Sequence, residues 1–126
     1  MPYSVEVDRE ARIAYVRSWG HLQTKGNLRA PLALSRDPAW EPDFGVVFDV
    51  RDLIDEPRAR DVVEMTHHFM HLRDHYRSRV GVVVSKRLSL SAELAAAIAG
   101  AGGVPIRVFD SLDEAFSWVR PDRPAD

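Results

Sequence analysis

Two short runs of this chain are apolar on consecutive positions instead of on alternate ones. Val46-Val47-Phe48-Asp49-Val50 breaks only at Asp49, and Val80-Gly81-Val82-Val83-Val84 does not break at all. Both runs are too short for a helix, and they are rich in β-branched residues. They predict strands buried on both faces, as in the interior of a parallel sheet. The stretch over residues 44–52 then delivers Asp49, Arg51 and Asp52 to the carboxyl end of its strand. Open α/β sheets place their ligand crevices at that end.

Elsewhere the pattern alternates or follows a helical period. Residues 3–7 and 12–19 alternate around a polar turn, Asp8-Arg9-Glu10-Ala11, and predict an antiparallel hairpin. A helix is expected over residues 24–35, weakened by Gly26 and Pro31. After the central strand, Asp55-Glu56-Pro57 predicts a helix start. Val62, Met65, Phe69, Leu72 and Tyr76 carry that helix to about residue 77 as one buried stripe. Leu90, Leu94 and Ile98 line a further helix, which Gly100, Gly102 and Gly103 end. Residues 104–109 form the last strand. Ser111-Leu112-Asp113-Glu114 is a capping box for a final helix with Leu112, Ala115, Phe116 and Val119 inward.

The order is ββαβαβαβα, an α/β fold in which an antiparallel hairpin leads into parallel strands with crossover helices. Residues 1–120 are expected to form one domain, with 121–126 as a tail. Right-handed crossovers put most helices on one face of the sheet. The second face of the central strands then needs a cover, either residues 21–43 or another subunit, so a homodimer is one expectation.

Composition narrows the function classes. The formal net charge of -2 gives no electrostatic case for nucleic acid. The chain has 0 Cys, so disulfides, thiolate metal sites and cysteine nucleophiles are excluded, which fits a cytoplasmic location. The N-terminus lacks the basic and apolar regions of a signal peptide, and no apolar run is long enough to span a bilayer.

Two phrases carry a family resemblance. Asp37-Pro38-Ala39-Trp40-Glu41-Pro42-Asp43-Phe44, followed by Val47-Phe48-Asp49-Val50-Arg51, resembles the "DPxFxPxFxxLxDxR" pattern of small bacterial SpoIIAA-like domains of the STAS superfamily. Residues 107–119, Arg107-Val108-Phe109-Asp110 through Trp118-Val119, resemble that family's "RVFxDxxEAxxWL" ending. The resemblance covers nearly the whole chain and implies the anti-sigma-factor-antagonist fold, distantly akin to CRAL-TRIO lipid-transfer proteins. Neither phrase is catalytic. Signalling members carry a phosphorylatable serine in a D-x-S-G phrase, where this chain has Asp49-Val50-Arg51-Asp52. With Arg51 in the serine's place, a phospho-regulated antagonist role is not expected.

Three constellations remain as candidate chemistry. Asp49, Arg51 and Asp52 could bind a ligand, or Asp49 and Arg51 could simply pair with each other. Ser85, Lys86 and Arg87 follow the adjacent strand and, with Arg51, suit a small anion. His67, His71 and His75 are spaced i, i+4, i+8 in the helical pattern, and Glu64 falls in the same arc. Such pairs can chelate a divalent metal, but the order HHxxH is not that of metalloproteases and a solvated helix face is the better explanation. The reading is therefore a non-enzymatic binding or regulatory domain without a cofactor. It would act on a protein partner or a small apolar or anionic molecule. The alternative is a metal-dependent or acid/base enzyme using the histidine face or Asp49.

Overall fold

The computed structural model describes residues 2–21 and 29–121. One sheet runs in the order β1-β2-β3-β4-β5. Strands β1 (Tyr3–Asp8) and β2 (Ile13–Gly20) form the expected antiparallel hairpin. Strands β3 (Gly45–Leu53), β4 (Val80–Val83) and β5 (Ile106–Phe109) extend it, each parallel to its neighbour. Helices α1 (Arg29–Ser35), α2 (Ala59–Met70), α3 (Ser89–Ala101) and α4 (Leu112–Val119) complete the order ββαβαβαβα. The first part of the helix expected over 24–35 lies outside the described residues.

Alternation along each strand sorts the side chains into two cores. Ala14, Val16, Val46, Phe48, Val80 and Val82 face one side, where Ala30 and Leu34 of α1, Phe69 and Met70 of α2 and Ala99 of α3 cover them. Val47 and Val83 face the other side, under Ala115 and Val119 of α4. The expected gap on the second face is therefore filled by α4. This helix follows the last strand and is not a crossover, so the handedness rule that gathers the others does not bind it. Its approach is close because two strand residues lack a Cβ. A Cβ on Gly45 would lie 2.0 Å from the Val119 carbonyl oxygen, and one on Gly81 would lie 3.1 Å from Val119 Cγ1.

Tertiary packing overrides the sequence period in two helices. Helix α2 starts at Ala59, not at 55, and Arg58 at its N-cap makes no side-chain cap. It ends at Met70, short of residue 77, and a 3-10 turn follows over Arg73–His75. The chain breaks there because Tyr76 is drawn into the core against Trp40, Phe48 and Phe69. The Tyr76 hydroxyl donates to the Pro31 carbonyl, and Trp40 Nε1 donates to the His75 carbonyl at 2.9 Å. In α3, Leu90 is 86% exposed, contrary to the expected inward face. Leu88, only 4% exposed, is buried instead, and it lies just before α3, at its N-cap and in the 3-10 turn Lys86–Leu88. The Ser111 cap is as expected, with Oγ accepting from the Glu114 N–H at 3.3 Å.

Candidate functional site

The parallel register sets Asp49 beside Arg17 of β2 on one side and Val83 of β4 on the other. Strand alternation turns Asp49 and Arg51 to the α4 side, together with Tyr15. Between Arg17 and Trp19 the pairing of β2 with β3 slips, so Trp19 meets Asp52. A bulge of this kind re-aims side chains at a strand end. Here it brings Asp52 to Arg17, at 2.9 Å, while the Arg17 guanidinium lies 4.8 Å from the Trp19 ring centroid.

Asp49 is 1% exposed. Its Oδ1 accepts from the Arg51 backbone N–H at 3.2 Å and from Arg51 Nε at 2.9 Å. Its Oδ2 accepts from Arg51 Nη2 at 2.7 Å and from the Tyr15 hydroxyl at 2.6 Å. A carboxylate has about four acceptor sites. All of them are engaged, so little basicity is left for proton abstraction. Burial alone would push the Asp49 carboxyl up, but the hydrogen bonds from Arg51 and Tyr15 outweigh it and hold the carboxyl below its ordinary value. The Tyr15 hydroxyl moves the other way, up to about 12, through burial first and then its bond to Asp49. The bonds to Asp49 likewise tighten the proton on Arg51.

The other predicted residues have separate fates. Arg87 Nη2 donates to the Leu53 carbonyl at 2.7 Å and so ties the loop after β4 to the end of β3. Ser85 lines a crevice of about 360 Å³ at the carboxyl ends of β4 and β5, with Lys86, Arg107, Asp110 and Glu114. Its Oγ is buried and without a hydrogen-bond partner among the described residues. Asp49, Arg51, Asp52 and Arg87 do not line that crevice. Asp49 with Arg51, Asp52 with Arg17, and Ser85 thus form three distinct places.

The early end of α2 divides the histidine row. His67 and His68 stay in the helix, His71 is its C-cap, and His75 falls in the 3-10 turn. The His68 and His71 rings are 6.5 Å apart, and His68 Nε2 lies 4.0 Å from Glu64. Among the described residues, no group of three or more His, Cys, Asp or Glu is placed to hold a metal. No described helix is long and apolar enough to cross a membrane.

The sequence did not point to a cleft between α1, α2, α3 and the sheet. It holds about 170 Å³, is open to solvent, and is lined by Pro31, Phe48, Met65, Phe69, Ala95 and Ile106, among others. Thr66 is the one lining residue with a hydroxyl, and it interrupts the apolar stripe of α2. That lone threonine beside Met65 and Phe69 was the available signal. The cleft itself depends on how far the helices stand off the sheet, which the stripe does not encode.

No family model matches the chain, and no curated protein does. Among solved structures, an uncharacterised protein of the DUF3478 family from Shewanella loihica, described as having a SpoIIAA-like fold, matches with a TM-score of 0.60. The match covers 93% of each chain at 13% identity. At that identity the likeness concerns the fold. This chain has the SpoIIAA-like fold that its motifs and element order led one to expect.

Proposed function

We propose that this chain is a non-enzymatic binding domain that holds a small apolar molecule between its helices and its sheet. The observation that carries the reading is the cleft of about 170 Å³, walled almost wholly by apolar side chains. The cleft opens to solvent, and exposed apolar surface of this kind marks ligand-binding grooves. Largely apolar pockets with very few polar groups are what small-molecule sites look like. The saturated Asp49 supports the non-enzymatic part, because its hydrogen bonds leave that carboxylate no free site to act as a base.

The test is thermal unfolding with and without saturating benzene, in the wild type and in Ala95→Phe. The added ring would fill the cleft that Ala95 lines. Benzene is expected to raise the melting temperature of the wild type and to leave that of Ala95→Phe unchanged. Equal responses in the two proteins would count against the cleft as the site.

A second reading, a protein partner, draws on the opposite face. There a groove of about 840 Å³ lies between the hairpin and α4, lined by Ile13, Tyr15, Leu112 and Phe116 with Glu6 and Asp8 at its edge. Apolar centres with polar rims are typical of interfaces. A homodimer would use the same surface, and sedimentation at rising concentration tests it.

A further inference from the structure

We infer that the outer edge of β5 is a docking edge for an extended, basic segment of a partner protein, which adds to the sheet as a further strand. This surface is distinct from the apolar cleft and from the groove between the hairpin and α4.

The backbone comes first. Strand β5 ends the sheet order, and among the described residues no strand pairs with its outer side. The Pro105 and Phe109 carbonyls accept from the N–H groups of Val80 and Val84, at 2.9 and 3.0 Å. In a parallel ladder alternate residues bond to the same neighbour, so Pro105, Arg107 and Phe109 turn inwards to β4. Ile106 and Val108 therefore present their N–H and C=O groups outwards. Such a row of unpaired groups is a template for another strand.

The side chains leave that edge accessible. Charged side chains at an edge commonly deter pairing. Here the Arg107 guanidinium lies 5.7 Å from the Phe109 ring centroid and 5.9 Å from that of Trp118, so it is folded onto the α4 face. One crevice touches three consecutive residues of β5, Arg107, Val108 and Phe109, together with Glu93 of α3 and Glu114 of α4. Successive strand residues point to opposite faces, so a crevice that meets all three follows the edge and opens onto both.

Charge then selects the occupant. Glu93, Asp110 and Glu114 line this crevice, and Asp113 joins Glu114 in a second one on the α4 side. Among the described residues none of these four carboxylates is in an ion pair. Against them stand Lys86 and the stacked Arg107, so the local balance is negative. An added strand sends alternate side chains to the two faces. Lysine or arginine on it would meet Glu93 on one face and Asp113 and Glu114 on the other. A second copy of β5 would instead bring a second set of the same carboxylates, and like charges across a strand pair destabilise it.

The experiment titrates the isotope-labelled full chain with acetyl-Lys-Thr-Lys-Thr-Lys-amide, its glutamate twin and an N-methylated copy that has no backbone donors. Binding is read by NMR and by amide hydrogen exchange. The lysine peptide is expected to bind roughly tenfold more tightly than the glutamate twin at low salt, the worth of a few exposed charge pairs. It should slow exchange at Ile106 and Val108 and leave Arg107 and Phe109, already bonded to β4, as they were. The N-methylated copy should not bind, and Glu93→Lys with Glu114→Lys should reverse the preference between the two charged peptides. Equal binding of the two, no binding of either, or binding without slowed exchange at Ile106 and Val108 would overturn the proposal. Exchange at those two amides that slows with protein concentration alone would also overturn it, by making a second copy the occupant.

Discussion

The Tyr15 hydroxyl reaches from β2 to Asp49 Oδ2 on β3 at 2.6 Å and completes the ring of donors that Arg51 begins. Two strands far apart in sequence are thereby joined by a buried carboxylate that is fully paired. The arrangement fixes the register at the carboxyl end of the sheet, just before the bulge.

Replacing Asp49 by Asn should therefore destabilise the fold by about 2–3 kcal/mol at neutral pH, because Arg51 and Tyr15 lose a charged acceptor. The Asp49 carboxyl is held below its ordinary value of 3.8, so its contribution is complete above that value. It fades as pH falls through the lowered one. Urea unfolding of wild type and Asp49→Asn from pH 7 to pH 2 should show the difference shrinking with acid. A difference constant over that range would contradict the assignment.

At the alkaline end the same bond acts with opposite sign. Tyr15 ionises at about 12 in the folded protein against 10.0 ordinarily, so its stabilisation is whole below pH 10 and is lost as pH rises towards 12. Ultraviolet titration of tyrosinate should place one ionisation near 12 that is absent in Tyr15→Phe. In Asp49→Asn it should move down, since the bond to the carboxylate raises it.

Helix α4 rests on glycine. Gly45→Ala would put a Cβ 2.0 Å from the Val119 carbonyl, a backbone atom that cannot swing away. We expect a loss of about 3 kcal/mol or more, of the order seen for overpacked cores. Gly100, within α3, has nothing within 4 Å of where a Cβ would sit. Gly100→Ala should stabilise by about 0.5–1 kcal/mol through helix propensity alone. Thermal melts of the two variants side by side separate close packing from any general effect of removing glycine.

Where the sequence was legible, local pattern and global packing agreed. The runs around Val47 and Val82 became interior strands, the hairpin formed around its polar turn, and Ser111 capped α4. The pattern failed where a distant contact decided. Tyr76 left the helical stripe because Pro31, Trp40 and Phe69 receive it, and Leu90 is exposed while Leu88, just before α3, is buried. The site was half legible for the same reason. Asp49 and Arg51 are neighbours on one strand, so their pairing was open to view. Tyr15 lies 34 positions away, and only the parallel register of β2 with β3 brings it in. The cleft at Thr66 is more remote still, being set by the spacing of whole helices over the sheet.

The central claim is that this fold carries a small apolar molecule, and native mass spectrometry of untagged protein taken fresh from cells tests it most directly. A stoichiometric adduct of a small organic molecule is expected, unchanged by a chelator and missing from Ala95→Phe. A bare chain in both proteins, or an adduct that the chelator removes, would contradict it.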